Sequence, residues 1–148
     1  MKYRFVDKII DLDPGKSIHT QRVWPEDLEI FQDHFPEFSI VPGALLTESM
    51  GQSAELCIES KYPEYGAGVL FQIKNAIFRH WVVPGITLDI KVDVLSAQPK
   101  LGRVRARTEH EGKLVARAEL LCSFKSKEKL GLPEVDPVLA AYLEEKSD

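Results

Sequence analysis

The chain has only two cysteines among its 148 residues, and Cys57 and Cys122 are far apart, each among apolar neighbours. That arrangement makes no metal-ligand spacing and reads as a pair of buried, unreactive thiols. There is no basic run, and the formal net charge is -4, which offers little to a polyanion and argues against nucleic acid as a partner. No apolar stretch is long enough to span a bilayer. The segment Met1-Lys2-Tyr3-Arg4-Phe5-Val6-Asp7 puts charges where an export signal needs uninterrupted apolar residues, so a cytoplasmic location is expected. Internal repeats and low-complexity tracts are also missing.

What is present fits an ordinary globular protein, with 44% hydrophobic and 28% charged residues. A chain of this length can bury a core without staples, so one domain over residues 1–148 is expected. Phe5 to Leu12 mixes apolar and charged residues and stops at Asp13-Pro14-Gly15, which suits an edge strand or a short helix closed by a turn. From Trp24-Pro25 through His34-Phe35-Pro36, closely spaced prolines interrupt regular structure and leave His34 on a loop. After Pro42-Gly43, the stretch from Ala44 to about Ser60 is free of proline and apolar or small around more than one face, as in a helix enclosed by other structure. Glu48 and Gln52 stand out inside it.

From Gly68 onward the period becomes two. Leu88, Ile90, Val92 and Val94 alternate with charged or polar residues, as in a half-buried strand. Arg103, Arg105 and Arg107 alternate with Val104, Ala106 and Thr108. Past a Glu111-Gly112 turn, Leu114, Ala116, Ala118, Leu120, Cys122 and Phe124 share a face, so the two segments read as a hairpin. Asp136-Pro137 to Lys146 has a cap, a proline suited to the first helical position and good helix formers, and so reads as a terminal helix. One long apolar helix with several antiparallel strands gives an α+β domain in which the sheet wraps the helix.

Three groups could act together on a thioester. Eliminating water across Cα and Cβ needs a base for a weakly acidic hydrogen and an acid for the departing hydroxyl. His34 is a natural base, and a carboxyl such as Glu48, held among apolar neighbours, could keep a proton to donate. The Gly43 N–H, at the first turn of the helix, lacks an intrahelical partner and points the positive end of the helix dipole at a bound oxygen. Taken singly, His34 is more often an inconsequential loop residue and Pro42-Gly43 only a helix entrance. Glu48 is harder to dismiss, because a carboxylate inside an apolar helix needs either a partner or a protonated working state. Gln52, one turn on, suits the supporting role through an i, i+4 hydrogen bond.

The composite His34-Phe35-Pro36, Pro42-Gly43, Glu48 and Gln52 resembles the active-site signature of the hot-dog fold 3-hydroxyacyl-[acyl-carrier-protein] dehydratases. Phe5 to Lys16 resembles the family's opening, and Phe78-Arg79 with Val83-Pro84-Gly85 its second landmark. The resemblance implies a long apolar helix wrapped by an antiparallel sheet of about six strands, with a core over about residues 3–125 and an extension over about 126–148. It implies reversible dehydration of a (3R)-3-hydroxyacyl thioester to the trans-2-enoyl thioester, in fatty acid or related acyl-chain biosynthesis, without metal or organic cofactor. His34 and Glu48 carry over as the catalytic pair and Gly43 as the amide that polarises the thioester. An acyl carrier protein is the implied partner. Homodimers are implied too, with the histidine of one protomer meeting the carboxyl of the other, and either the dimer or a hexamer of such dimers as the final assembly. Glutamate rather than aspartate at position 48 favours dehydration without isomerisation.

The sequence also departs from the family. Asp33 precedes the histidine where glycine is usual, Glu37-Phe38-Ser39 replaces glycine, a variable residue and proline, and Ile86 stands where aspartate is common. Phe71-Gln72 replaces Ala-Gly, which makes both residues candidates for narrowing or redirecting the acyl tunnel and points to a polyketide, polyene or other dedicated pathway as much as to common fatty acids. An acidic chain needs a local cationic patch to dock an acidic carrier. Arg79 and His80 are the candidates, while Arg103, Arg105 and Arg107 read better as a solvated strand face. Two other readings keep the fold: a thioesterase, which would release free thiol, and a noncatalytic acyl-chain-binding subunit. Retention of both His34 and Glu48 speaks against the latter.

Overall fold

The structure is a computed structural model and describes residues 4–28, 31 and 39–147. Its described elements are β1 (Lys8–Asp13), β2 (Ser17–Val23), α1 (Gly43–Lys61), a short 3-10 turn (Pro63–Tyr65), β3 (Ala67–Phe78), β4 (Thr87–Gln98), β5 (Leu101–His110), β6 (Lys113–Lys125) and α2 (Pro137–Lys146). The strands form one six-stranded sheet in the order β1-β2-β4-β5-β6-β3, antiparallel throughout. The opening segment is thus an edge strand rather than a helix.

Alternation decides which face of the sheet meets α1. Leu88, Ile90 and Val92 in β4, Val104 and Ala106 in β5, and Ala116, Ala118 and Leu120 in β6 are all buried, while the residues between them face outward. Arg103, Arg105 and Arg107 lie on that outer face. Arg107 is paired with Glu109 at 2.6 Å and Arg105 with Glu119 at 3.6 Å, as expected of a solvated ladder of charges. Glu111 and Gly112, both at positive φ (50° and 81°), make the tight turn that joins β5 to β6. A bulge between Thr108 and Glu109 opposes one extra residue of β6, which is why Val115 is buried beside Ala116.

Helix α1 lies across the inner face and has buried residues around most of its circumference, consistent with its weak amphipathicity. Its few buried hydroxyls are satisfied locally. Ser53 Oγ and Thr20 Oγ1 are 2.7 Å apart, and Ser49 donates to the Phe5 carbonyl at 2.7 Å. The turn after β1 packs on the far end of the helix. There Gly15 takes φ +73° and a Cβ would sit 2.9 Å from the Lys61 side chain, so only glycine permits that approach. Residues 127–136 cross back over α1, and α2 packs against β1 with Leu139 buried. Asp136 caps α2 by accepting the Val138 N–H at 2.9 Å.

Candidate active site

The N-terminus of α1 is fixed by backbone pairing, with the Val41 N–H donating to the Val82 carbonyl at 2.8 Å. Pro42 precedes the first helical residue and no side chain caps the end. Among the described residues, no backbone acceptor takes the Gly43 N–H, so it keeps the donor capacity expected of a first-turn amide. The Phe78 ring closes over this glycine, and a Cβ at position 43 would meet it at 3.1 Å. Gly43 and Phe78, distant in sequence, thereby come together.

Glu48 lies one turn further along α1, partly buried. Gln52 Oε1 accepts the Phe5 N–H at 2.8 Å, which leaves the amide NH2 to face Glu48 Oε1 at 3.4 Å. The backbone donor settles the orientation of that amide, because only its oxygen can accept. At 3.4 Å the contact with Glu48 is weak, so Gln52 positions the carboxyl more than it neutralises it.

The face that carries Glu48 and Gln52 continues through Glu55 and Glu59, spaced so that all four side chains align. Neither Glu55 nor Glu59 was singled out from the sequence, although the repeat of polar residues inside an apolar helix was the available signal. The charge of Glu59 is answered by the C-terminal extension. Buried Glu59 pairs with Lys127 and accepts the Asp136 N–H at 3.3 Å, and Asp136 pairs with Arg4. A cavity of about 140 Å³ lies between α1 and this extension, lined by Glu48, Gln52 and Glu55 on the helix and by Lys127, Leu132 and Pro133 opposite. Burial, reinforced by the Asp136 charge, pushes the Glu55 carboxyl up from 4.5 to about 7.

His34, with Asp33 and residues 35–38, lies outside the described residues. Phe71 and Gln72 are exposed on β3, where Phe71 occupies a bulge between Leu70 and Gln72. Neither borders the cavity beside Glu48. Arg79 and His80 are exposed just past the end of β3, and the Arg79 N–H donates to the Val115 carbonyl at 2.7 Å. Burial drives the thiols of Cys57 and Cys122 up to about 12 and about 11, so both are unreactive near neutral pH. Among the described residues, no group of three or more His, Cys, Asp or Glu side chains could hold a metal ion. No helix there is long and apolar enough to cross a membrane.

Comparison with known proteins identifies the family. The FabA-like domain family matches residues 1–119. A 3-hydroxyacyl-[acyl-carrier-protein] dehydratase FabZ of Pseudoalteromonas translucida is 34% identical over 122 residues, covering 80% of this chain and 81% of its own length. The FabZ of Bordetella petrii is 34% identical over 134 residues, covering 83% and 86%. Among solved structures, the dehydratase heterocomplex ApeI:P from Xenorhabdus doucetiae superposes with a TM-score of 0.72 at 20% identity, over 87% of this chain and 88% of that one. An uncharacterized protein of Pyrococcus horikoshii superposes at 0.66 with 18% identity, over 86% and 88%. Fold and sequence agree, and the chain belongs to the FabA-like family of the FabZ-type 3-hydroxyacyl-[acyl-carrier-protein] dehydratases.

Proposed function

We propose that this chain removes water from a (3R)-3-hydroxyacyl group on acyl carrier protein, with His34 as base, Glu48 as acid and the Gly43 amide holding the thioester oxygen. The observation that carries the reading is the placement of Glu48 one turn above a helix N-terminus whose Gly43 N–H has no backbone acceptor among the described residues, beside a cavity. His34 takes the α-hydrogen, the developing enolate oxygen gathers negative charge at the Gly43 N–H, and Glu48 gives its proton to the leaving hydroxyl. Water and the trans-2-enoyl thioester leave. Glu48 then holds the negative charge and His34 the proton, and their exchange restores the starting state.

The working unit is a homodimer, in which each His34 serves the partner's Glu48. The outer edge of β3 supports this. The strand is 12 residues long and forms one edge of the sheet, and it exposes Val69, Phe71, Ile73 and Ile77. A long apolar edge is an invitation to strand pairing, whereas the opposite edge, β1, is only six residues long and carries Lys8, Asp11 and Asp13. The carrier docks on Arg79 and His80, next to the helix entrance. Residues 1–148 act as one domain in the cytoplasm.

Incubation with a 3-hydroxyacyl thioester of acyl carrier protein tests the reaction. Enoyl thioester without free thiol is expected, and Glu48→Gln should lower kcat by about 10²–10⁴-fold. Release of free thiol would instead identify a thioesterase, and normal carrier binding without turnover in wild type would identify a binding subunit.

A further inference from the structure

Glu55 is left unexplained by the reaction. The other carboxyl beneath the extension, Glu59, is matched by Lys127, and Asp136 is matched by Arg4. Glu55 has no ion pair among the described residues and meets the Gly68 backbone N–H instead. It lines two adjoining cavities. One is the compartment of about 140 Å³ beneath the C-terminal extension. The other is a narrow gap of about 30 Å³ between α1 and the sheet, walled by Gly51, Ala54, Gly68, Leu70 and Leu120. Glu48, Gln52 and Glu55 border both.

These walls describe a path that starts at the reacting carboxyl, runs beside small and apolar surfaces suited to methylenes, and ends at Glu55. Seven helical residues separate the two carboxyls, about 10 Å along the axis. The wider compartment approaches the size that holds a benzene-sized guest, about 150 Å³, so it has room for a chain end. An alkyl end placed there would strip water from Glu55 and return no hydrogen bond. An anionic end would face Glu55 and Asp136, with Arg4 and Lys127 already engaged. A neutral hydroxyl restores the lost hydrogen bond whether Glu55 is protonated or not.

We propose that Glu55 is the distal specificity residue of the acyl compartment, and that the compartment takes 3-hydroxyacyl chains carrying a second hydroxyl remote from the thioester in preference to plain alkyl chains. The inference rests on the dehydratase reading for the identity of the acyl group. A site that hydrogen-bonds a hydroxyl discriminates strongly against the analogue lacking it.

The test pairs binding with turnover. Nonreactive pantetheine-amide analogues of equal medium length, one ending in methyl and one in hydroxymethyl, are titrated calorimetrically against the wild type, Glu55→Leu and Glu55→Ala. The corresponding thioesters are assayed for enoyl product. The wild type should bind the hydroxyl-ended analogue about tenfold or more tightly. Both variants should lose that preference, with the leucine variant favouring the methyl end. If one variant fails to fold, the other gives the same comparison. Equal binding of the two analogues by the wild type, a preference that survives both substitutions, or no binding of either analogue would overturn the assignment of Glu55. Preferential binding without enoyl formation would leave Glu55 in place and overturn the dehydratase reading instead.

Discussion

Replacing Lys127 with methionine should cost more stability than any exposed charge in the chain, because Lys127 answers Glu59, whose side chain is 4% exposed. Methionine keeps the aliphatic stem and removes the ammonium. Breaking a buried pair from one side costs about 3–5 kcal/mol. The loss is bounded, because a carboxyl can take up a proton instead, which for a reference glutamate costs about 4 kcal/mol at neutral pH. A loss of about 3–4 kcal/mol is a large part of the 5–15 kcal/mol typical of a domain. At this chain length it should lower Tm by about 10 °C. Denaturant titration and thermal unfolding measure it, and the deficit should shrink toward pH 4. The double variant Glu59→Leu with Lys127→Met should recover most of the loss, since an apolar pair replaces an ion pair at little cost. If the two substitutions simply add, Glu59 and Lys127 are not coupled and the extension does not neutralise the helix face.

Other outcomes follow from the same geometry. Glu55 has its folded-state value raised from 4.5 to about 7, so the folded protein binds more protons than the unfolded chain across that interval. Its contribution is therefore fully present below pH 4.5 and is lost as pH rises through about 7, by about 3 kcal/mol at most. Glu55→Gln should flatten that slope in unfolding titrations run across the same interval. Phe71→Lys with Ile73→Lys places charges on the exposed edge of β3 and should shift the protein toward monomer in sedimentation velocity, with activity falling in parallel; a dimer that survives both would exclude β3 as the interface. Gly43→Ala brings a methyl group to within 3.1 Å of the Phe78 ring and should lower kcat more than it raises KM, by about tenfold or more.

Much of the architecture could be read from the chain because its signals were periodic. The alternation of Leu88, Ile90 and Val92, the Glu111-Gly112 turn and the cap at Asp136 each mark an element locally, and each element formed where that chemistry placed it. The first strand was ambiguous because its polarity depends on being at a sheet edge, a fact set by β2 and not by its own residues. Glu48 and Gln52 stood out as polar residues in an apolar helix, and the fold sets both beside a cavity. Glu55 and Glu59 belong to the same stripe, but their meaning lies in Arg4, Lys127 and Asp136, distant in sequence and brought near only by the fold. Phe78 against Gly43 is a similar case, since no spacing in the sequence announces that contact.

The most direct measurement mixes two inactive proteins, His34→Ala and Glu48→Gln, under conditions where subunits exchange. If each active site takes its imidazole from one protomer and its carboxyl from the other, half of the dimers formed at equal mixing carry one intact site, and activity should return to about a quarter of the wild-type level. Subunit exchange with no recovery of enoyl product would contradict a site divided between protomers, with His34 from one and Glu48 from the other.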